Sequence, residues 1–156
     1  MPASTSSVPR PCACTTVRRA SRILARVFDA VLEPAGLNVT QLAVLRAVQR
    51  HAAEPLTRVA EDLCMDRTSL YRAVTPMRRD GWVKVAAGSD ARSRTVEFTT
   101  KGLRVLEGAD PAWGRMQTEI IDRFGRDKWA ALVSELERLA ACAQAVESTK
   151  TDCIDA

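Results

Sequence analysis

One histidine in 156 residues leaves little from which to build a catalytic centre. His51 stands alone, and the chain has no GxSxG turn, no HExxH helix and no glycine-rich phosphate loop. A nucleophile with its base, a hydrolytic metal and a nucleotide cradle are therefore all missing, and an enzyme is not expected. Long apolar runs are missing too: none reaches the roughly 18 residues that a membrane-spanning helix requires. Residues 1–10 carry Ser, Thr and Pro without an apolar centre. They read as a flexible tail rather than a signal peptide or anchor, so the protein is expected to be cytoplasmic. The cysteines are odd in number, five in all: Cys12, Cys14, Cys64, Cys142 and Cys153. Without a secretory signal that count argues against a disulfide framework, and Cys12-Ala13-Cys14 lacks the CxxC spacing of zinc and dithiol sites. Neither a metal nor a cofactor is expected.

Glycine and proline number seven each while 46% of residues are apolar, the composition of a folded, helix-rich domain long enough to bury a core. The net charge of +4 is unevenly spread, with nine Lys/Arg against four Asp/Glu between residues 66 and 104. Residues 119–156 carry a net −3. Positive charge gathered on one segment is the footprint expected for phosphate contacts to nucleic acid.

Helical periodicity begins early. Ile23, Leu24, Val27, Phe28, Val31 and Leu32 make one apolar stripe of a helix from about residue 14 to 33. Arg18, Arg19, Arg22 and Arg26 flank it, and Pro34-Ala35-Gly36 closes it. A second helix is capped at Asn38, with Leu42, Leu45 and Val48 inward. A third runs from about 57 to 64, with Thr57 as its cap and Val59, Ala60 and Leu63 inward. After a turn at Met65-Asp66, a fourth helix is capped by Asp66 or Thr68 and anchored by Leu70, Val74 and Met77. That phase turns Arg67, Ser69, Tyr71, Arg72 and Thr75 outward, and Pro76 should bend the final turns.

Gly81 stops the fourth helix. Two β-runs, Trp82-Val83-Lys84-Val85 and Thr95-Val96-Glu97-Phe98-Thr99, then flank a basic tip at 88–94. A basic hairpin after such a helix is the build of a winged helix-turn-helix, with the helix in a major groove and the hairpin beside it. A long helix follows through Leu103, Leu106, Trp113, Met116, Ile120 and Phe124, with a kink expected around Gly108, Pro111 and Gly114. The last helix covers about 128 to 146 and carries Trp129, Leu132, Val133, Leu136 and Leu139 on one stripe. The fold class is mainly α with a small β-wing: a winged helix-turn-helix plus terminal dimerisation helices. The first, fifth and sixth helices carry more apolar surface than a small core can cover, and pairing two copies would bury it, so a homodimer is expected. The layout is one domain, with dimerisation helices at 13–36 and 103–147 around a winged helix-turn-helix at 37–102. Tails are expected at 1–11 and 148–156.

With these elements in this order, the chain resembles the multiple-antibiotic-resistance regulator (MarR) family over about residues 14 to 146. The resemblance is carried by Asp66-Arg67-Thr68-Ser69-Leu70-Tyr71-Arg72, by Met77-Arg78-Arg79-Asp80-Gly81-Trp82-Val83, and by the wing Asp90-Ala91-Arg92-Ser93-Arg94 with Thr99-Thr100-Lys101-Gly102 after it. The segment Gly36-Leu37-Asn38-Val39-Thr40-Gln41-Leu42 is also similar to the family. The resemblance implies a dimeric repressor or activator on a pseudo-palindromic, double-stranded DNA operator, controlled by a small phenolic or aromatic ligand or by thiol oxidation. By position, Asp90 and Arg92 match the family's wing pair, in which the acid orients the arginine toward the minor groove; Arg94 shares that task or binds phosphate. In the fourth helix Arg72 suits a guanine edge, and Arg67, Thr68 and Ser69 suit phosphates or base edges near the helix start. Tyr71 suits a sugar or a thymine methyl. Arg78 and Arg79 suit phosphates or the last helical carbonyls.

Release by a small aromatic ligand is the favoured mode of control, and the family's pocket makes Arg19, Arg22, His51, Trp113 and Met116 its candidates. An arginine beside aromatic and thioether groups suits an aromatic carboxylate. Thiol control is the alternative. Cys12 and Cys14 lie where the family's organic-hydroperoxide sensors carry a reactive thiol, and a helix start with Arg18 and Arg19 nearby favours a thiolate. Those sensors bind the thiol with tyrosines of the second helix, whereas the only tyrosine here is Tyr71. A winged-helix adaptor that docks proteins and binds no DNA is the reading of a different class.

Overall fold

The computed structural model describes residues 11–51, 55–87 and 94–152, with side chains described as far as 146. Among these residues six α-helices flank one hairpin: α1 (Ala13–Leu32), α2 (Val39–Arg50), α3 (Leu56–Asp62), α4 (Arg67–Arg79), α5 (Thr100–Phe124) and α6 (Arg126–Asp152). The hairpin strands β1 (Val83–Ala87) and β2 (Arg94–Phe98) lie between α4 and α5 and pair antiparallel, with Val83 opposite Phe98 and Val85 opposite Val96. The fold is the mainly α class with a small β-wing that the sequence predicts. The chain divides into two compact units at Trp113/Gly114.

The helix ends of the first unit follow from local chemistry. Gly36 takes φ +73, a left-handed turn that needs no Cβ, and lets the chain reverse out of a 3-10 turn at Glu33–Ala35. Asn38 then closes α2 with a capping box: its side chain accepts the Gln41 N–H at 2.9 Å while Gln41 Oε1 accepts the Asn38 N–H at 3.0 Å. Asp29 Oδ1 accepts the Val39 N–H at 2.7 Å and so ties the last turn of α1 to the first turn of α2. The start of α3 differs from expectation. Pro55, not Thr57, occupies the N-cap; its extended backbone bridges to Thr95 of the hairpin, and Leu56 enters the core at once.

The core collects Leu32 of α1, Leu42, Val44, Leu45 and Val48 of α2, Leu56 and Val59 of α3, Val83 and Val96 of the hairpin, and Leu106 of α5. Leu70, Val74 and Met77 of α4 join it, at the steps of four and three that the sequence predicts. Burying three such side chains fixes the rotational phase of α4, since each contributes about 1.5–3 kcal/mol relative to exposure. Pro76 lies within α4 without ending it, and the neighbouring Thr75 hydroxyl donates to the Tyr71 carbonyl at 2.7 Å.

Helix α5 is continuous through Gly108, Pro111 and Gly114, and the division between the units falls there. Among the described residues 114–146 none is buried. Phe124, Leu132, Leu136, Leu139 and Val146 are exposed. Helix α6 continues to Asp152, so residues 148–152, expected in a tail, are helical. Nothing between 126 and 152 is Gly or Pro, so no local signal stops the helix at Val146.

Candidate nucleic-acid interface

Asp66 sets the start of α4. One carboxylate oxygen accepts the Ser69 N–H at 2.9 Å and the other accepts the Ser69 hydroxyl at 2.6 Å. These bonds, the hydroxyl first, hold the Asp66 carboxyl below its ordinary range. The cap is therefore Asp66 rather than Thr68. It also revises Ser69, which is half-buried instead of facing outward, with its hydroxyl proton engaged inside the helix.

Because Leu70, Val74 and Met77 point inward, the opposite face of α4 is forced into solvent. Arg67, Thr68, Tyr71, Arg72, Thr75 and Pro76 line one open concavity there. Tyr71 is 44% exposed on this face. The concavity continues into a groove between α4 and the start of α2, where Asn38, Thr40 and Gln41 stand beside Ser69, Arg72 and Pro76. Sequence reasoning missed Thr40 and Gln41. The segment was read for its cap, and its closeness to Arg72 arises only when α2 and α4 pack.

Of the two arginines that end α4, Arg79 is committed: its Nε donates to Asp80 Oδ1 at 3.0 Å, which raises the guanidinium pKa. Arg78 is exposed. Arg94 is exposed at the start of β2, opposite Ala87. Asp90 and Arg92 lie outside the described residues. The hairpin is held to α4 through Thr99. Its hydroxyl donates to the Gly81 carbonyl at 2.6 Å, with the Trp82 carbonyl at 3.1 Å, and accepts the Gly102 N–H at 3.0 Å. One side chain thus joins the end of α4, the end of β2 and the start of α5.

The effector candidates do not converge in the same way. Arg19 and Arg22 share a shallow groove on α1 with Ile23, Ala25 and Arg26. His51 caps the end of α2 with Nε2 3.3 Å from Asp62 Oδ2, the oxygen that also accepts Arg50 at 2.7 Å. The Arg50 bond leads the causes that lower the Asp62 pKa. Trp113 packs with Phe28, ring centroids 6.2 Å apart, and lies under the Arg46 guanidinium at 3.8 Å. Arg46 is held there by Asp110 at 2.6 Å. Met116 is half-buried in the second unit. Sequence reading missed Arg46, whose partners lie far along the chain.

Cys12 occupies the N-cap of α1 and is exposed, as is Cys14. The Thr15 N–H and then its hydroxyl lower the Cys12 thiol pKa, although the contact is too loose to close the helix as a side-chain cap. Among the described residues no cluster of His, Cys, Asp and Glu has the makings of a metal site, and no helix is long and apolar enough to cross a membrane.

No profile of a known protein family matches the chain. It is 23% identical, over 79% of its length and 89% of the relative's, to the uncharacterized HTH-type transcriptional regulator YwoH of Bacillus subtilis (strain 168). Among solved structures it is 33% identical to the M. tuberculosis transcriptional regulator MosR, with a TM-score of 0.78, covering 87% of this chain and 98% of that one. MosR in complex with DNA gives 37% identity and a TM-score of 0.70 over 81% and 96% of the two chains. A variant of MarR from E. coli, complexed with operator DNA, shares the fold at 21% identity and a TM-score of 0.73 over 80% and 91%. These relatives are transcriptional regulators rather than enzymes, and the adaptor reading is set aside with them. The chain belongs to the MarR family of winged helix-turn-helix, DNA-binding transcriptional regulators.

Proposed function

We propose that the protein is a homodimeric repressor that reads a pseudo-palindromic operator through α4 and is released by a small aromatic ligand. The observation that carries this reading is the exposed face of α4, where two arginines, a tyrosine and two threonines are held outward by a fully buried opposite face. Arg72 takes the guanine O6/N7 edge, the commonest specific contact of such helices. Arg67, Thr68, Ser69 and Arg78 bind phosphates or edges around it, and Tyr71 packs on a sugar or methyl group. The wing, with Asp90, Arg92 and Arg94, reaches the adjacent minor groove, whose negative potential attracts arginine.

Dimerisation is supported by apolar side chains left in solvent: Val17, Ile23 and Leu24 on α1, Phe124 on α5, and Leu132, Leu136 and Leu139 on α6. A second copy related by a two-fold axis buries such faces and sets two half-sites about 34–36 Å apart on one side of the duplex. The groove of Arg19 and Arg22 suits the carboxylate of an aromatic effector; His51, Trp113 and Met116 are proposed as effector contacts on the family resemblance alone. Titration of duplex from the protein's own promoter, against scrambled duplex and with benzoate as probe, tests the reading. Tighter binding to promoter duplex that benzoate weakens supports it; equal binding to both duplexes overturns it.

The lowered Cys12 thiol favours a second reading, in which oxidation of Cys12 or Cys14 releases the DNA. Peroxide then weakens promoter binding in the native protein and not in the double variant Cys12→Ser/Cys14→Ser. Equal loss in both rejects this route.

A further inference from the structure

Positions four apart lie above one another on a helix face, so the exposed side of α4 consists of two rows. Arg67, Tyr71 and Thr75 form one, and Thr68, Arg72 and Pro76 form the other. Both rows are polar toward the start of the helix and turn apolar toward its end. Thr75 is exposed, yet its single hydroxyl proton is given to the Tyr71 carbonyl at 2.7 Å. That bond uses the hydroxyl's one proton, so Thr75 has no donor left for a base edge and its methyl remains for an apolar contact. Pro76 has no N–H and contributes only its ring. Tyr71, 44% exposed, supplies an aromatic face one turn away.

We propose that Tyr71, Thr75 and Pro76 form an apolar subsite for the C5 methyl group of thymine, beside the guanine read by Arg72. The proposal rests on α4 entering the major groove, as argued above, and adds a second specificity element to it. Thymine is the only unmodified DNA base that presents a methyl group in that groove, so an apolar subsite discriminates it from the other three. Helical rise places it: three or four residues advance about 4.5–6 Å, against about 3.4 Å per base pair. The thymine therefore lies within about two base pairs of the guanine.

The test enriches binding duplexes from a random library with the full-length protein, then replaces each thymine of the selected duplex in turn by deoxyuridine, which lacks only the methyl. One thymine per half-site should show an affinity loss of about three- to fivefold, the size of burying one methyl group. In Thr75→Ser, which keeps the hydroxyl and loses the methyl, that loss should fall below about twofold; in Thr75→Val it should persist. Should no deoxyuridine duplex weaken by twofold while Arg72→Ala still impairs binding, the methyl subsite is wrong and the helix reading stands. An undiminished loss in Thr75→Ser overturns the assignment to these residues. Failure to enrich any duplex overturns the subsite and the DNA-reading role of α4 together.

Discussion

Gly102 lies against the backbone of Trp82: a Cβ added there would overlap the Trp82 carbonyl and come within 3.1 Å of the Phe98 ring. The glycine is needed for this close approach, not for an unusual φ, because it sits within the first turn of α5. The Thr99 hydroxyl occupies the same junction. Gly102→Ala should lower stability by about 1–3 kcal/mol, the usual cost of overpacking, because the obstacle is backbone and cannot swing away. Since the displaced strand belongs to the wing, promoter affinity should fall as well. Thermal unfolding with duplex titration checks both, and an unchanged melting temperature contradicts the junction's role.

Arg46 combines an ion pair with Asp110 and a stacking contact on Trp113, and the two effects differ in size. Asp110 is half exposed, so removing it should cost no more than about 1 kcal/mol. Arg46→Ala loses the pair, the stacking and the packing of its aliphatic stem, and should destabilise more than Asp110→Asn does. Arg46→Lys keeps the charge but not the planar face, so it should fall between them. Chemical denaturation of the three variants gives the order; Asp110→Asn equalling Arg46→Ala contradicts it.

Acid should loosen the start of the reading helix. The Asp66 carboxyl is lowered by its bonds to Ser69 and that of Asp62 by Arg50, so both bind protons less readily folded than unfolded. Their contribution is complete above the unfolded carboxylate pKa of about 4 and is lost as pH falls through the lower folded values. Asparagine caps a helix without ionising. Asp66→Asn should therefore retain helix α4 at neutral pH while flattening the decline in melting temperature between about pH 5 and pH 2. A decline identical to the native protein's contradicts the assignment.

The terminal helices give a prediction about assembly. Leu136 and Leu139, 39% and 43% exposed on α6, belong to the proposed dimer face. Replacing both with Asp places unpaired charges in an apolar interface and should yield monomers. Light scattering at micromolar concentration measures the mass directly, and a monomeric native protein contradicts the homodimer.

Much of this was legible in the chain because the decisive signals are local. The spacing of Leu70, Val74 and Met77 fixes the phase of α4, and the two β-runs fix the hairpin. Asn38 and Gly36 mark their own turns. What the sequence hid depends on packing. Ser69 was read outward from helical phase, but its bonds to Asp66 draw it into the cap. Thr57 has the chemistry of a cap, yet Pro55 takes the position because its own backbone bridges to Thr95 of the hairpin. Arg46 over Trp113, and Thr40 and Gln41 beside Arg72, join residues distant in sequence, which no periodicity reveals. The end of α6 lacked any punctuation to read.

The central claim is that α4 reads base sequence through Arg72. It is tested most directly by titrating native protein and Arg72→Ala on the selected duplex and on one with the contacted guanine replaced. The account predicts that Arg72→Ala weakens binding to the selected duplex by about 1–3 kcal/mol and no longer distinguishes the two, with helix content unchanged. Equal affinity of native protein and Arg72→Ala for both duplexes would contradict it.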